Sequence, residues 1–332
     1  MPMSKVAYME TGSTDPTYNL AFEEYVLTHR QQGEYLLLWQ NDNTIVVGRN
    51  QNTAQEIDPA FVEKHHINVV RRSTGGGAVY HDMGNLNYSF ITDIGNSDRL
   101  TMERFTQPVV AALRGLGLHA EASGRNDILV EGRKVSGTAQ RLVNGRILHH
   151  GTLLFDSRPE MIAGALRVDP AKFASKGAKS VRSRIGNIRE FLPVDMTLSD
   201  FWTYLKDALS GDGLVQDELA ADELAQVQVL QKEKYGTWEW TYGQSPKFDM
   251  VNRNYFSGGR LEVGVSVDKG IITVVRFYGD FLSATDTTPL CKALEGVIYR
   301  EDAVDAVLVQ YPLAEMFGGI TQSEILHTIF NM

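Results

Sequence analysis

Three stretches bring reactive side chains and bare backbone together at spacings that chemistry can use. The first is RRSTGGGAVYHD, Arg71 to Asp82, in which Gly75, Gly76 and Gly77 stand in a row between short apolar runs. Three glycines cost conformational entropy on folding and offer nothing to pack. Such a run reads either as a bend in a sheet or as a place where another group must touch main chain. Arg71, Arg72, Ser73 and Thr74 border the glycines on one side, His81 and Asp82 on the other. Bare N–H groups with guanidinium and hydroxyl groups beside them are how chains hold a carboxylate or a phosphate.

The second stretch is GRKVSGTAQ, where Lys134 follows a Glu131-Gly132 turn, with Ser136, Gly137 and Thr138 directly behind it. An exposed hairpin lysine is the plain reading of that position. Asp127 sits seven residues earlier on the preceding strand, within reach across a hairpin, and favours a site instead. The third stretch is His149-His150-Gly151-Thr152. Adjacent strand residues face opposite ways, so the two histidines are not a joint metal pair, and each is structural by default. Trp39 ends an apolar strand and reads as core or as a pocket wall. The common nucleotide and hydrolase signatures are missing. There is no G-x-x-x-x-G-K-S/T, no H-E-x-x-H and no G-x-S-x-G, and Tyr80 stands where G-x-G-x-x-G needs its last glycine.

The elements that must position these residues follow from period and punctuation. DPTYNLAFEEYVLTH predicts a helix capped by Asp15, with Pro16 in its first turn and Leu20, Glu24 and Leu27 setting its period. EYLLLW and NTIVVG predict strands, DPAFVEKHH a second helix capped by Asp58. INVVRR, AVYH and NLNYSFIT predict strands around the glycine loop. A helix is expected over roughly Thr101 to Gly115, with Pro108 in an early turn or at a kink. Glu131-Gly132 and Asn144-Gly145 are strong hairpin turns, which makes residues 127–155 a three-stranded meander. A Gly/Ser/Pro-rich break, TYGQSPKF, divides the chain into 1–247 and a small second domain, 248–332. That second domain is expected to hold three strands with turns at Asp268-Lys269-Gly270 and Gly279-Asp280, then helices. Helices with mainly antiparallel or mixed strands indicate an α+β fold.

Bulk properties narrow the class. A length of 332 residues suits two domains, and 43% hydrophobic with 22% charged residues is the composition of a soluble globular protein. No run is long enough for a membrane span, and the N-terminus lacks the apolar region of a signal peptide. One cysteine, Cys291, excludes a disulfide framework and a cysteine-rich zinc site. A cytoplasmic protein is the simple reading. A net charge of −9 argues against nucleic acid as the partner. The charge is uneven: a basic run from Arg167 to Arg189 reads as a loop, and an acidic run from Gly211 to Gln231 as a solvated face.

The motifs RRSTGGGAVYHD, GRNDILVEGRKVSGTAQR, HHGTLLFD and SVRSRIGNI, with NLAFEEY near the start and WEWTYGQSPKF at the break, resemble the lipoate–protein ligase A family in order and spacing. The resemblance spans almost the whole chain. It implies an α+β catalytic domain related to biotin ligases, with a small accessory domain. It also implies an ATP-dependent, Mg²⁺-assisted ligase that converts lipoate to lipoyl-AMP. The lipoyl group would then pass to a lysine of a carrier domain, such as an E2 subunit of a 2-oxoacid dehydrogenase or the glycine cleavage H protein. Lys134 falls on the family's catalytic lysine. Arg72, Thr74, Gly75, Gly76, Gly77, His81, Asp127, Ser136, Gly137, Arg141, His150 and Thr152 fall on the adenylate pocket, with Trp39 beside the lipoyl tail. The chemistry expects Mg²⁺ to neutralise the phosphates, with Asp127 as a metal ligand or a partner of the metal's ligands. Lys179, Ser180, Val181 and Arg182 fall on a segment that reorganises over the intermediate in relatives. Thr74 and Thr138 stand where serine is usual. A cysteine-dependent acyl transferase of the same fold would need a cysteine in the catalytic domain, and a non-catalytic lipoate-binding relative would not need Lys134.

Overall fold

In the computed structural model, residues 6–94, 102–166, 184–210, 213–243 and 248–330 are described. Their strands are β1 (Val6–Glu10), β2 (Tyr35–Trp39), β3 (Thr44–Val47), β4 (Asn68–Arg71), β5 (Val79–His81), β6 (Asn85–Asp93), β7 (Ala120–Ser123), β8 (Asp127–Val130), β9 (Arg133–Val143), β10 (Arg146–Leu154), β11 (Leu214–Gln216), β12 (Met250–Phe256), β13 (Gly259–Asp268) and β14 (Ile271–Gly279). They form an eight-stranded sheet in the order β11-β1-β2-β6-β10-β9-β8-β7, a small sheet β4-β3-β5 and a three-stranded sheet β12-β13-β14. In the large sheet β1 runs parallel to β2 and β11, and every other pair is antiparallel. The fold is α+β, as the element pattern predicts.

Period-2 alternation sorts the large sheet's side chains onto two faces. On one face Leu36, Leu38, Leu86, Tyr88 and Leu153 pack with Val109, Leu113, Phe201 and Leu205 of the helices Met102–Gly115 and Leu198–Ala208. On the other, Leu37, Trp39, Ile91 and Leu148 pack with Leu20, Val26 and Leu27 of the helix Pro16–His29. That helix begins as expected: the Asp15 carboxylate accepts the N–H groups of Thr17 and Tyr18. Its period does not mark a single buried face, because every residue from Asn19 to Leu27 is buried, Glu23 and Glu24 included. Pro108 lies well inside its helix rather than in the first turn. It is exposed on the solvent side of that helix.

Both predicted hairpin turns form, with φ of +49° and +74° at Glu131-Gly132 and +50° and +76° at Asn144-Gly145. β8, β9 and β10 are the expected meander. Residues 248–330 build their own sheet and a cluster that includes Leu261, Val263, Phe277, Phe281, Leu290 and Ile325. The turn at Lys269-Gly270 is as expected, but the chain does not turn back into the sheet after Gly279. The third strand is β12, earlier in sequence. Its Asn252 and Asn254 obscure the apolar alternation, because their amides are used on Ile329 O (3.1 Å) and Thr328 Oγ1 (3.3 Å).

Candidate active site

Cross-strand register lays out a floor. Trp39 of β2 stands opposite Asn87 of β6, and Asn87 opposite Thr152 of β10. Gly137 of β9 donates its N–H to Thr152 Oγ1 at 3.3 Å and stands opposite Asp127 of β8. One rung therefore runs Trp39, Asn87, Thr152, Gly137, Asp127 across five strands. The next rung on the same face is Leu37, Ser89, His150 and Ala139. Above the floor lie Leu20 from the first helix and Val46, Arg72, Gly77, Ala78, Val79 and His81 from the small sheet and its glycine loop. Together with Lys134 and Asn126 these enclose a cavity that is apolar along most of its wall.

A β-bulge places the lysine. Strict alternation puts residues 134 and 137 on opposite faces of β9. The register instead shifts between Ile128 and Leu129, so that Ile128 faces Ser136 while Leu129 faces Lys134. The extra residue turns Lys134 onto the face of Asp127 and Gly137. Its Nζ lies 2.7 Å from Asp127 Oδ1. A Cβ on Gly137 would meet Lys134 Nζ at 3.1 Å and Cε at 3.2 Å, so the glycine makes room for the lysine to lie over the floor. Ser136, beside Gly137 in regular register, faces the core side opposite Ile128, where it is fully buried and outside the cavity.

The glycine loop has three different reasons for being bare. A Cβ on Gly75 would stand 2.5 Å from the Ser283 backbone nitrogen and 2.9 Å from Phe281 O. Gly76 has φ +86° and donates its N–H to Phe281 O at 3.0 Å. Gly77 alone lines the cavity. The loop is thus pressed on its outer side by the segment that follows β14, which the reading of a loop bared only for a ligand does not include. Arg72 is buried beneath it and donates to Thr74 Oγ1 (2.9 Å), Gly75 O (2.5 Å) and Gly77 O (2.9 Å). Burial brings its guanidinium down to about 10, still cationic at neutral pH.

A directed hydrogen-bond chain ties the floor to this loop. Trp39 Nε1 donates to Ser89 Oγ (2.9 Å), and Ser89 Oγ to Glu23 Oε1 (2.6 Å). The same carboxylate oxygen meets His150 Nδ1 at 2.8 Å, and His150 Nε2 meets Thr74 Oγ1 at 2.8 Å. The Glu23 carboxylate can only accept, which assigns the ring proton to His150 Nδ1 and leaves Nε2 to accept the Thr74 hydroxyl. His81 Nδ1 takes Asn41 Nδ2 at 3.2 Å. Burial, with Arg72 and His150 nearby, pulls the His81 imidazole down to about 3, so it is neutral. The neighbouring His149 points to the opposite face, stacked on Phe105, and burial likewise holds it at about 3.

Residues 15–210 match the model of the lipoyl protein ligase A/B catalytic domain, and 245–329 that of the bacterial lipoate protein ligase C-terminus. The chain is 41% identical over 321 residues to lipoate–protein ligase LplJ of Bacillus subtilis (strain 168), covering 95% of this chain and 97% of that protein. The chain belongs to the lipoate–protein ligase family. Among solved structures, P. falciparum LipL1 in complex with lipoate shares the fold of this ligase, with a TM-score of 0.79, 22% identity and coverage of 92% and 94% of the two chains. A lipoate–protein ligase A bound with ATP matches at a TM-score of 0.62 and 27% identity, over 73% of this chain and 99% of that one.

Of the residues singled out from the ligase's sequence, Trp39, Arg72, Gly77, His81, Lys134, Gly137, His150 and Thr152 line one cavity, with Asp127 bonded to Lys134 at its rim. Gly75, Gly76 and Thr74 lie behind its wall. Arg141 does not reach it: Nη1 bonds Glu24 Oε1 at 2.7 Å, in a buried cluster with Lys234 and Tyr235. Lys179, Ser180, Val181 and Arg182 lie outside the described residues. Leu20, Glu23, Val46, Asn87, Ser89 and Asn126 were not anticipated. A mid-strand Asn in NLNYSF and adjacent glutamates in an otherwise apolar helix were the signals available, since buried polar groups require partners.

Proposed function

We propose that the ligase activates lipoate and transfers it in this cavity, with Lys134 as the catalytic residue. In the first step a lipoate carboxylate oxygen bonds to the α-phosphorus of ATP. The bridging P–O bond to the β-phosphate breaks, giving lipoyl-AMP and pyrophosphate. Two anions must meet, and a fixed ammonium between them lowers that barrier by position and electrostatics rather than by covalent chemistry. In the second step a carrier lysine amine attacks the acyl carbon, AMP leaves with the C–O bonding pair, and the new amide nitrogen loses a proton. Negative charge developing on the acyl oxygen is then within the field of the same ammonium.

The observation that carries this reading is the bulge that lays Lys134 over Gly137 at the polar end of an otherwise apolar cavity. Trp39, Leu20 and Ala139 supply the wall for an acyl tail, each buried methylene contributing about 0.8 kcal/mol. Arg72 and the Gly77 end of the loop serve the phosphate side. Mg²⁺ usually takes one or two carboxylates together with substrate phosphates and water. Among the described residues no group of three His, Cys, Asp or Glu could hold a metal. Asp127, beside Lys134, would be the carboxylate to hold the ion, which would neutralise phosphate charge.

The carrier is a lipoyl domain of the E2 or glycine cleavage H type, with no nucleic-acid role for a chain of net charge −9. Among the described residues no helix is long and apolar enough to cross a membrane. We place the ligase's action in the cytoplasm. The catalytic domain is 1–247 and the accessory domain 248–332. A cysteine acyl-enzyme is disfavoured: the single cysteine, Cys291, is buried in the accessory core, its thiol pushed up to about 11 by burial. The test is mass spectrometry of apo-carrier domains incubated with the protein, ATP, Mg²⁺ and lipoate. A lipoyl adduct on one lysine, absent when ATP is left out, is expected; no adduct on any carrier would refute the reading.

A further inference from the structure

Two buried N–H donors at the Trp39 end of the cavity have no partner among the described residues. Asn87 is 2% exposed, and its Oδ1 accepts Asn85 Nδ2 at 3.0 Å, while its Nδ2 bonds nothing. His81 is 3% exposed and uses Nδ1 on Asn41, which leaves the proton on Nε2, also without a partner. Both residues line the cavity and flank one indole: Asn87 is the cross-strand neighbour of Trp39, and the His81 ring meets Trp39 edge-on at 6.4 Å. A buried polar group left unpaired is costly, so a pair of them on a ligand wall marks where the ligand brings acceptors.

Position along the floor says which part of the ligand that is. Lys134 lies over Gly137, and Asn87 is two strands further along the same rung, about 10 Å away at the usual strand spacing. A carboxylate held at Lys134 with its methylene tail extended along the rung reaches Asn87 with the five-membered ring. The ring of lipoate carries two sulfur atoms, which are weak acceptors, and a hydrocarbon ring of the same shape carries none. We propose that Asn87, together with His81, makes the acyl pocket selective for a sulfur-bearing ring by donating two N–H groups to it. This rests on the reading of the cavity as the site of acyl activation. Selectivity arises chiefly through rejection: a carbocyclic acid fills the space and leaves both donors stranded.

The experiment measures acid-dependent ATP–pyrophosphate exchange by the full-length protein. It compares lipoate with cyclopentyl-pentanoate, the carbon isostere of lipoate, and repeats the pair in Asn87→Leu. The wild-type protein is expected to favour lipoate about tenfold in kcat/KM. Asn87→Leu, which leaves His81 in place, is expected to lower that ratio to about threefold, with the KM for ATP changed less than about twofold. The wild-type arm needs no variant to fold. Equal use of the two acids by wild type would overturn the proposal. So would an Asn87→Leu protein that keeps the ratio but raises the KM for ATP, which would assign the donors to the nucleotide. Exchange with neither acid in folded wild-type protein would instead remove the activation reading, and the proposal with it.

Discussion

Replacing Gly75 by alanine separates two explanations of the triple glycine. If the loop is bare only for the ligand, Gly75→Ala and Gly77→Ala should harm activity alike and leave stability alone. The structure gives a different outcome. A methyl at 75 would lie 2.5 Å from the Ser283 nitrogen, a backbone atom that cannot swing aside. That segment is pinned by Gly76 N–H to Phe281 O (3.0 Å), Asn50 Nδ2 to Ser283 Oγ (2.8 Å) and Leu142 N–H to Ala284 O (2.7 Å). Overpacking of this kind costs about 1–3 kcal/mol, and losing the Gly76 hydrogen bond adds about 1 kcal/mol. At 77 the nearest atom would be Asp280 Cβ at 4.0 Å, an ordinary contact. Urea unfolding should therefore show Gly75→Ala destabilised by about 2–4 kcal/mol and Gly77→Ala near wild type. Wild-type stability in Gly75→Ala, or equal destabilisation in the pair, would refute the contact with the accessory segment.

Three further outcomes follow from buried groups. Glu24→Gln removes the counter-charge shared by Lys234 and Arg141 and should cost about 3 kcal/mol in urea unfolding, since these cations outweigh burial and hold its carboxyl at about 2. His81 and His149 are held at about 3 in the fold against 6.5 when free, so the unfolded chain takes up protons that the folded chain does not. Their contribution is complete above pH 6.5 and is lost as pH falls towards 3, about 2 kcal/mol for each by pH 5; a midpoint independent of pH over 7 to 5 would contradict this. Cys291→Ala should retain ligase activity, and iodoacetamide should leave native protein active, because the thiol is buried in the accessory core.

Local signals were legible where physical chemistry is local. Asp15, Asp58 and the Glu131-Gly132 and Asn144-Gly145 turns are readable because caps and positive-φ turns depend on neighbours in sequence. Lys134 and Asp127 could be paired because hairpin register is set by the turn. What stayed hidden depends on distant contacts. The bulge that puts Lys134 on the face of Gly137, opposite Ser136, has no signature in GRKVSGTAQ. Arg141 is drawn away by Glu24, 117 residues earlier, and Gly75 is explained only by Ser283. β11, of three residues, is too short for a period, and the Asn residues of β12 disguise a strand face.

In the proposed function, the Lys134 ammonium drives acyl-adenylate formation. Lipoate-dependent ATP–pyrophosphate exchange by Lys134→Met tests it most directly, because Lys134 is half-exposed and its removal leaves the fold's cores untouched. Exchange is expected to fall by about 10²–10³-fold with an unchanged unfolding midpoint. Exchange at the wild-type rate in a folded Lys134→Met protein would contradict it.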